Sequence, residues 1–537
     1  MSSVPVLSVR DLTVVARDDN EELVRSVSFS VEAGSTLGLV GQSGSGKSLS
    51  AMAVAGLLPA NVEMRGKIVL DGENLTALNE PEARRLRTAK LGVVFQNPMT
   101  ALNPRMTIGA QLIEALSRDL RRDRAANVQR ALRLLDDVGI ARAGDRLNAY
   151  PHELSGGLAQ RVVIALALAR SPRLLIADEP TTALDVTVQA QILDLIDRLR
   201  LEHNFGVLLI THDMGIIRDR SDSVAVMSGG GIVEAGETMA VFDRPATPEA
   251  KALVGATRAM QFRSSETTSG AAIPMRFLLR AENIRKRFGH SQIALDGVSL
   301  SVAQGGTTGI VGESGSGKTT LARILVGLER KDEGRLFFDG IERPSGTRLG
   351  DIQYVFQDPY SSLSPRIRIL DTVAEPLLAR GDRKHLAYEK ACELLAEVDL
   401  DPSLWEKRPT HLSGGQRQRV GIARAIATGP RLLIADEPVA ALDATARDRI
   451  LDLLEKLRQS RDMALLLISH DLSVVARLCS DVVVMRSGEI VEQGPTRRVF
   501  EHPAHPYTRQ LIDAIPGRAR QDEEHQTPNH ALAFATA

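Results

Sequence analysis

At 537 residues the chain is too long for one hydrophobic core, so more than one domain is expected. Basic and acidic residues nearly cancel, 66 against 67, and aromatics are only 3%, so no global field or stacking surface for nucleic acid is expected. The two cysteines, Cys392 and Cys479, cannot hold a four-cysteine iron–sulfur cluster and are expected to be buried free thiols of a reducing compartment.

Met1-Ser2-Ser3-Val4-Pro5 lacks the basic region and apolar core of a signal peptide, and no stretch approaches the roughly 18 apolar residues that cross a bilayer. A soluble cytoplasmic chain is expected, with any membrane role exerted through a partner. β-Rich sequence from Leu7 to Val15 comes first. The apolar run Leu37-Gly38-Leu39-Val40 then reads as a buried strand and leads into Gly41-Gln42-Ser43-Gly44-Ser45-Gly46-Lys47-Ser48. This fits G-x-x-x-x-G-K-[ST]: glycines let backbone N–H groups turn inward on an anion, the lysine reaches β- and γ-phosphates, and the Ser48 hydroxyl can ligate Mg²⁺.

Next comes the strand Val93-Val94-Phe95 with Gln96 at its end, placed to orient water or touch a metal shell. A charged helical stretch runs from Gln111 to Val138. Leu154-Ser155-Gly156-Gly157 follows, where a serine N-cap and exposed glycine amides make a second anion site; the apolar run Val162 to Ala169 behind it reads as a buried helix. The unbroken apolar run Leu174-Leu175-Ile176-Ala177 has the character of a central parallel strand and ends in Asp178-Glu179. Asp178 is a candidate holder of Mg²⁺ through its water shell, and Glu179 a candidate proton acceptor for an attacking water. The strand Val207 to Ile210 ends in Thr211-His212-Asp213, making His212 a candidate γ-phosphate contact.

The same order then repeats. Leu278 to Ile284 is β-rich, and Gly309-Ile310-Val311 leads into Gly312-Glu313-Ser314-Gly315-Ser316-Gly317-Lys318-Thr319, with Thr319 the second metal hydroxyl. Tyr354-Val355-Phe356 precedes Gln357, a helical stretch spans Asp371 to Val398, and Leu412-Ser413-Gly414-Gly415 precedes a helix. Leu432 to Ala435 ends in Asp436-Glu437, and Leu465 to Ile468 in Ser469-His470-Asp471, so Asp436, Glu437 and His470 take the same roles. Lys47 and Lys318 are offset by 271 and Gln96 and Gln357 by 261; Ser155/Ser413, Asp178/Asp436 and His212/His470 are all offset by 258. Insertions collect early, where loops tolerate them, while the spacing of the chemistry is held. Domains of residues 1–255 and 276–516 are expected, with a polar Ser- and Thr-rich linker over 256–275 and a disordered tail over 517–537.

Phosphate loop, glutamine, Leu-Ser-Gly-Gly, strand-Asp-Glu, Ala-Leu-Asp (Ala183-Leu184-Asp185; Ala441-Leu442-Asp443) and histidine together resemble the nucleotide-binding domains of ABC transporters, over nearly all of both halves. The resemblance implies an α/β fold of two tandem P-loop NTPase domains. Each would have a RecA-like α/β core, an antiparallel β subdomain and a helical subdomain. It implies an ATPase whose two domains face each other head to tail around two ATP molecules. One pocket would take Lys47, Ser48, Gln96, Asp178, Glu179 and His212 with Ser413 and Gly415; the other Lys318, Thr319, Gln357, Asp436, Glu437 and His470 with Ser155 and Gly157. The segments from Gln96 to Arg105 and from Gln357 to Arg366, and His505-Pro506-Tyr507-Thr508-Arg509-Gln510-Leu511, look like those of dipeptide, oligopeptide and nickel importers in fused form. That implies two transmembrane permease subunits, an extracytoplasmic solute-binding protein as indirect partner, and a peripheral place on the cytoplasmic face of the cell membrane.

Some positions depart from the family pattern. Phe288 fits the adenine-stacking aromatic, but the first half offers only Val14, Val15, Ala16 and Arg17 there. Leu158 stands where glutamine is usual and Gln416 holds that place in the second half; Pro438-Val439-Ala440 replaces the more polar Pro180-Thr181-Thr182. Two hydrolytic sites of unequal rate are expected. The alternatives are a permease-free ABC protein acting on ribosomes or nucleic acid, disfavoured by the short connector and balanced charge, and an exporter ATPase, disfavoured by the importer-like segments.

Overall fold

Runs of β-branched and aliphatic residues, punctuated by glycine, form the strands of two compact units, one on residues up to 184 with 188–258 and 516–517, the other on 185–187 and 276–515. The structure, a computed structural model, describes residues 5–18, 20–42, 44–116, 124–182, 184–258, 276–289, 292–347, 350–358, 362–440, 442 and 444–517.

In the first unit β1 (Leu7–Ala16), β2 (Glu22–Val31), β4 (Val62–Leu70) and β5 (Glu73–Asn74) form an antiparallel sheet in the order β2-β1-β4-β5. A six-stranded sheet holds β3 (Thr36–Gly41), β6 (Leu91–Val94), β7 (Leu174–Asp178), β8 (Gly206–Thr211), β9 (Ser223–Ser228) and β10 (Gly231–Glu237), ordered β10-β9-β3-β8-β7-β6. Its strands are parallel except β10.

Successive side chains along these parallel strands leave on opposite faces. Leu39, Ile176, Leu208 and Ile210 join a core with Leu7 and Val24 of the antiparallel sheet, while Val40, Leu175, Val207 and Leu209 join a second core with Val162 and Ile192 from helices. Both faces are covered, which is why the strands are apolar without alternation. The parallel arrangement also brings the C-terminal ends of β3, β7 and β8 to one edge, where Val40 pairs with Thr211 and Asp178 with Ile210. Open α/β sheets bind ligands at that edge.

The second unit repeats the plan. β11 (Phe277–Phe288), β12 (Gln292–Ala303), β14 (Glu333–Phe338) and β15 (Ile341–Glu342) make the antiparallel sheet. β13 (Thr307–Val311), β16 (Ile352–Val355), β17 (Leu432–Asp436), β18 (Ala464–Ile468), β19 (Asp481–Arg486) and β20 (Glu489–Pro495) are ordered β16-β17-β18-β13-β19-β20.

Two expectations are refined. The single helical stretch from Asp371 to Val398 is two helices, Ile369–Arg380 and Lys384–Glu397, because Gly381 takes a left-handed φ of 98° and ends the first. Its counterpart is likewise Ile108–Leu116 and Arg124–Asp137. The helix Pro248–Arg258 also carries three residues into the expected linker, and 259–275 lie outside the described residues, as does the expected tail apart from Gly517. Among the described residues no helix is long and apolar enough to cross a membrane. Cys479 is buried and Cys392 half-buried, both unpaired.

Candidate active sites

Each phosphate loop leaves the C-terminal end of a buried strand and turns into a helix whose N-cap is a left-handed glycine, Gly46 at φ 97° and Gly317 at φ 100°. No side chain caps either helix, Lys47–Ala55 or Lys318–Leu325, so the orphan N–H groups of the first turn are available to an anion. The lysines fold back on their own loops. Lys47 Nζ donates to the carbonyls of Gly41 at 2.7 Å and Gln42 at 2.8 Å, and Lys318 Nζ to those of Gly312 and Glu313, both at 2.7 Å. Burial pulls Lys318 below the ordinary lysine range, with Glu437 and Asp436 opposing. Gly44 and Gly315 are exposed within the loops, as is Ser314; Ser43 lies outside the described residues.

Asp178 ends β7 beside the loop, and the Ser48 hydroxyl donates to its Oδ1 at 3.2 Å. Asp436 ends β17, is 1% exposed, and leaves Oδ1 without a hydrogen-bond partner, an unmet acceptor of the kind a cation's water shell satisfies. Burial pushes both carboxyls up; the Ser48 hydroxyl opposes this for Asp178 and the Tyr354 hydroxyl for Asp436. Among the described residues no three His, Cys, Asp or Glu side chains form a metal cage. A hydroxyl and one carboxylate fit Mg²⁺ all the same, since it binds through few protein groups and fills its octahedron with phosphates and water.

Glu179 and Glu437 each take φ 46°, and their N–H groups donate to Ile210 and Ile468 at 2.9 Å, turning the chain sharply off the strand. A left-handed non-glycine residue costs about 1–2 kcal/mol, which the fold meets at both equivalent positions. Gln96 Nε2 donates to Glu179 Oε2 at 2.9 Å, the Thr182 hydroxyl donates to the same oxygen at 2.8 Å, and His212 Nδ1 lies 3.0 Å from Oε1. Gln357 Nε2 donates to Glu437 Oε2 at 2.8 Å and His470 Nδ1 lies 3.1 Å from Oε1. Ala440 stands where Thr182 would, so Glu437 lacks that donor.

Burial raises the carboxyl of Glu179, but His212 and Thr182 outweigh it and hold the group at about 2; Glu437 is lowered in the same way through His470. Burial lowers His470, and Glu437 more than restores it, leaving the imidazole above its ordinary value. A raised histidine contributes stability fully below its unfolded value near 6.5 and loses it as pH rises through the folded one, while the depressed Glu437 contributes fully above its unfolded value of 4.5 and loses it as pH falls through the folded one. The fall in thermal midpoint on His470→Gln is therefore expected to be larger at pH 6 than at pH 9, checked by calorimetry at both; an equal fall removes the ion pair from the account.

Ser155 caps the helix Gly156–Leu168, its Oγ accepting from Leu158 N at 3.4 Å. Ser413 caps Gly414–Ile426, accepting from Gln416 N at 3.3 Å while Gln416 Oε1 accepts Ser413 N at 2.9 Å. Leu158 cannot return that bond, so only the second cap is reciprocal. Gly157 also has a packing role, since a Cβ there would lie 2.7 Å from Val188 Cγ1; Gly415 is roomier, with Ala446 Cβ at 3.4 Å. Phe288 ends β11 as an exposed ring with Lys286 Nζ 5.2 Å from its centroid, a surface on which a base can stack. In the first unit β1 stops at Ala16, and Arg17 holds the matching place.

Each unit thus gathers its glutamine, glutamate and histidine, and separately its hydroxyl and aspartate, Ser48 with Asp178 and Thr319 with Asp436. Ser155 and Ser413 each direct the side-chain oxygen to the first turn of their own helix. Sequence reasoning missed Thr182, and it missed the Tyr354 hydroxyl, which donates to Asp436 Oδ2. It also missed the Tyr507 hydroxyl, which accepts the Glu313 N–H at 3.0 Å. Tyr354 and Tyr507 occur in one half only, so the repeat could not flag them.

Residues 24–182 and 295–440 match the family model described as ABC transporter, and 491–534 match that for the oligopeptide/dipeptide transporter C-terminal region. The chain is 43% identical to the peptidoglycan transport ATP-binding protein of Agrobacterium fabrum, covering 95% of this chain and 96% of that one. It is 41% identical to the glutathione import ATP-binding protein of Escherichia coli (95% and 89% covered) and 39% identical to the oligopeptide transport ATP-binding protein of Mycobacterium tuberculosis (95% and 98% covered). The fold is also similar, at a TM-score of 0.63 and 22% identity over 91% of this chain and 90% of that one, to an archaeal ribosome recycling factor solved with a ribosomal stalk protein. At that identity the likeness is one of fold alone.

Proposed function

The chain belongs to the ABC transporter family, and on that premise we propose how its two halves power import. It is an ATPase subunit of an importer, splitting ATP and water into ADP and phosphate to energise uptake. Our reading is that the cargo is a peptide or related small solute, and that two membrane permeases receive the work with an extracytoplasmic binding protein behind them. The subunit would sit peripherally on the cytoplasmic face. The observation that carries this reading is the twice-built glutamine–glutamate–histidine cluster at strand ends beside a phosphate loop.

In each pocket the loop amides and Lys47 or Lys318 hold the β- and γ-phosphates. Glu179 or Glu437, ionised at neutral pH, accepts a proton from water that Gln96 or Gln357 orients. With Nδ1–H directed at the glutamate, which favours the imidazolium, His470 has Nε2–H left in that form to donate to the γ-phosphate. Bound Mg²⁺ would neutralise charge on the β- and γ-phosphates, held by Ser48 and Asp178 or by Thr319 and Asp436 and reached by Gln96 or Gln357. Ser155 with Gly157, and Ser413 with Gly415, would close the pocket of the opposite half.

Affinity purification of the tagged chain from detergent-solubilised membranes is expected to recover two small integral membrane proteins and an ATPase rate that rises with them. Recovery with ribosomes and no membrane protein would overturn the importer reading.

A further inference from the structure

The C-terminal segment reaches the second phosphate loop. Glu492 on β20 accepts the N–H groups of Ala504 at 2.8 Å and His505 at 3.0 Å, which fixes the loop entering the helix Pro506–Asp513. His505 caps that helix, its Nδ1 accepting from Tyr507 N at 3.1 Å. The Tyr507 side chain is 3% exposed, lies under the Arg486 guanidinium at 4.8 Å, and presents its hydroxyl to the Glu313 N–H at 3.0 Å. Glu313 is also the residue whose carbonyl accepts from Lys318 Nζ at 2.7 Å. The Gly312–Glu313 peptide is thereby pinned on both sides, by Tyr507 at the Glu313 N–H and by the phosphate-binding lysine at the Gly312 C=O, 2.7 Å from Lys318 Nζ.

The first half keeps the strut but lacks the tip. Glu234, at the same offset of 258 from Glu492, accepts the N–H groups of Ala246 at 2.9 Å and Thr247 at 2.8 Å, and the helix Pro248–Arg258 follows. At the place of Tyr507 stands Glu249, half-buried and without a phenol.

We propose that Tyr507 is a positioning residue that pre-orders the second phosphate loop for ATP through Glu313 and Lys318, so that the C-terminal segment sets nucleotide affinity at that pocket and not at the first. A loop held in its binding shape spends less of the binding free energy on ordering, so the effect belongs in affinity rather than in the chemical step. This rests on the reading that the loop around Lys318 holds ATP.

The test uses the full chain carrying Lys47→Ala, so that only the second pocket is read. Tyr507→Phe keeps the ring and its contact with Arg486 while removing the hydroxyl. Loss of one such hydrogen bond is expected to raise KM for ATP about fivefold, with kcat and the thermal midpoint unchanged and the Glu313 amide exchanging faster. Unchanged KM and amide protection overturn the proposal, as does a joint fall of kcat and thermal midpoint, the mark of a merely structural contact. Lys318→Ala in the same background separates the layers: retained ATP binding there sinks the loop reading and this proposal with it, whereas lost binding alongside a silent Tyr507→Phe sinks only the proposal.

Discussion

Glu437→Gln is expected to slow ATP turnover by about 10²-fold or more while leaving ATP binding intact. Glutamine keeps the shape of the side chain and can still accept from Gln357 Nε2, so the pocket is not emptied. What it loses is the anionic oxygen that takes the proton of water and, at 3.1 Å, favours the charged form of His470. Single-turnover hydrolysis beside equilibrium nucleotide binding separates the two effects. Unchanged hydrolysis removes Glu437 as the base. Glu179→Gln should act alike on the first pocket, where the base has the additional Thr182 donor at 2.8 Å. That donor stabilises the carboxylate and makes it a weaker proton acceptor, which favours the Glu437 pocket as the faster of the two unequal sites.

The second large effect crosses the length of the chain. Ser413→Arg is expected to disable the pocket built on Lys47, although 366 positions separate them. Ser413 ends its helix with a reciprocal cap to Gln416, and replacing such a cap costs about 1 kcal/mol. An arginine also places a long side chain over the glycine amides that would meet a γ-phosphate. Photolabelling with an azido-ATP followed by peptide mapping reads each loop separately. Loss of label from residues 41–48 with label retained on 312–319 supports a pocket shared between halves. Normal labelling at both loops with normal turnover defeats it, and loss on 312–319 instead would mean that the cap serves its own half.

Much of this was legible because the chain states its chemistry twice. Unbroken apolar runs before Asp178 and Asp436 are the mark of strands buried on both faces, and the two cores formed by Leu39 and Val40 on opposite sides of β3 show why. The glutamate and histidine could be paired by their constant offset of 258, and the glutamine, at 261, by its place at the end of a strand, before any distance was known. Features present in one half left no such trace. Thr182 stood out only as part of the more polar Pro180-Thr181-Thr182, and Tyr354 and Tyr507 only as parts of a strand and a segment, because a contact between Glu313 and a residue 194 positions away has no local signature. The break at Gly381 had a local signal that was passed over: the polar run from Arg380 to His385 interrupts the apolar spacing between Ala379 and Leu386, and Gly381, at a left-handed φ of 98°, ends the first helix.

The central claim is that each triphosphate is held by the loop of one half and the serine-capped helix of the other. A cryo-EM or crystal structure of the intact chain with Mg²⁺ and a nonhydrolysable ATP analogue tests it most directly. The account predicts Ser413 and Gly415 at the γ-phosphate of the nucleotide on Lys47, and Ser155 and Gly157 at that on Lys318. Either serine-capped helix directed away from both nucleotides would contradict it.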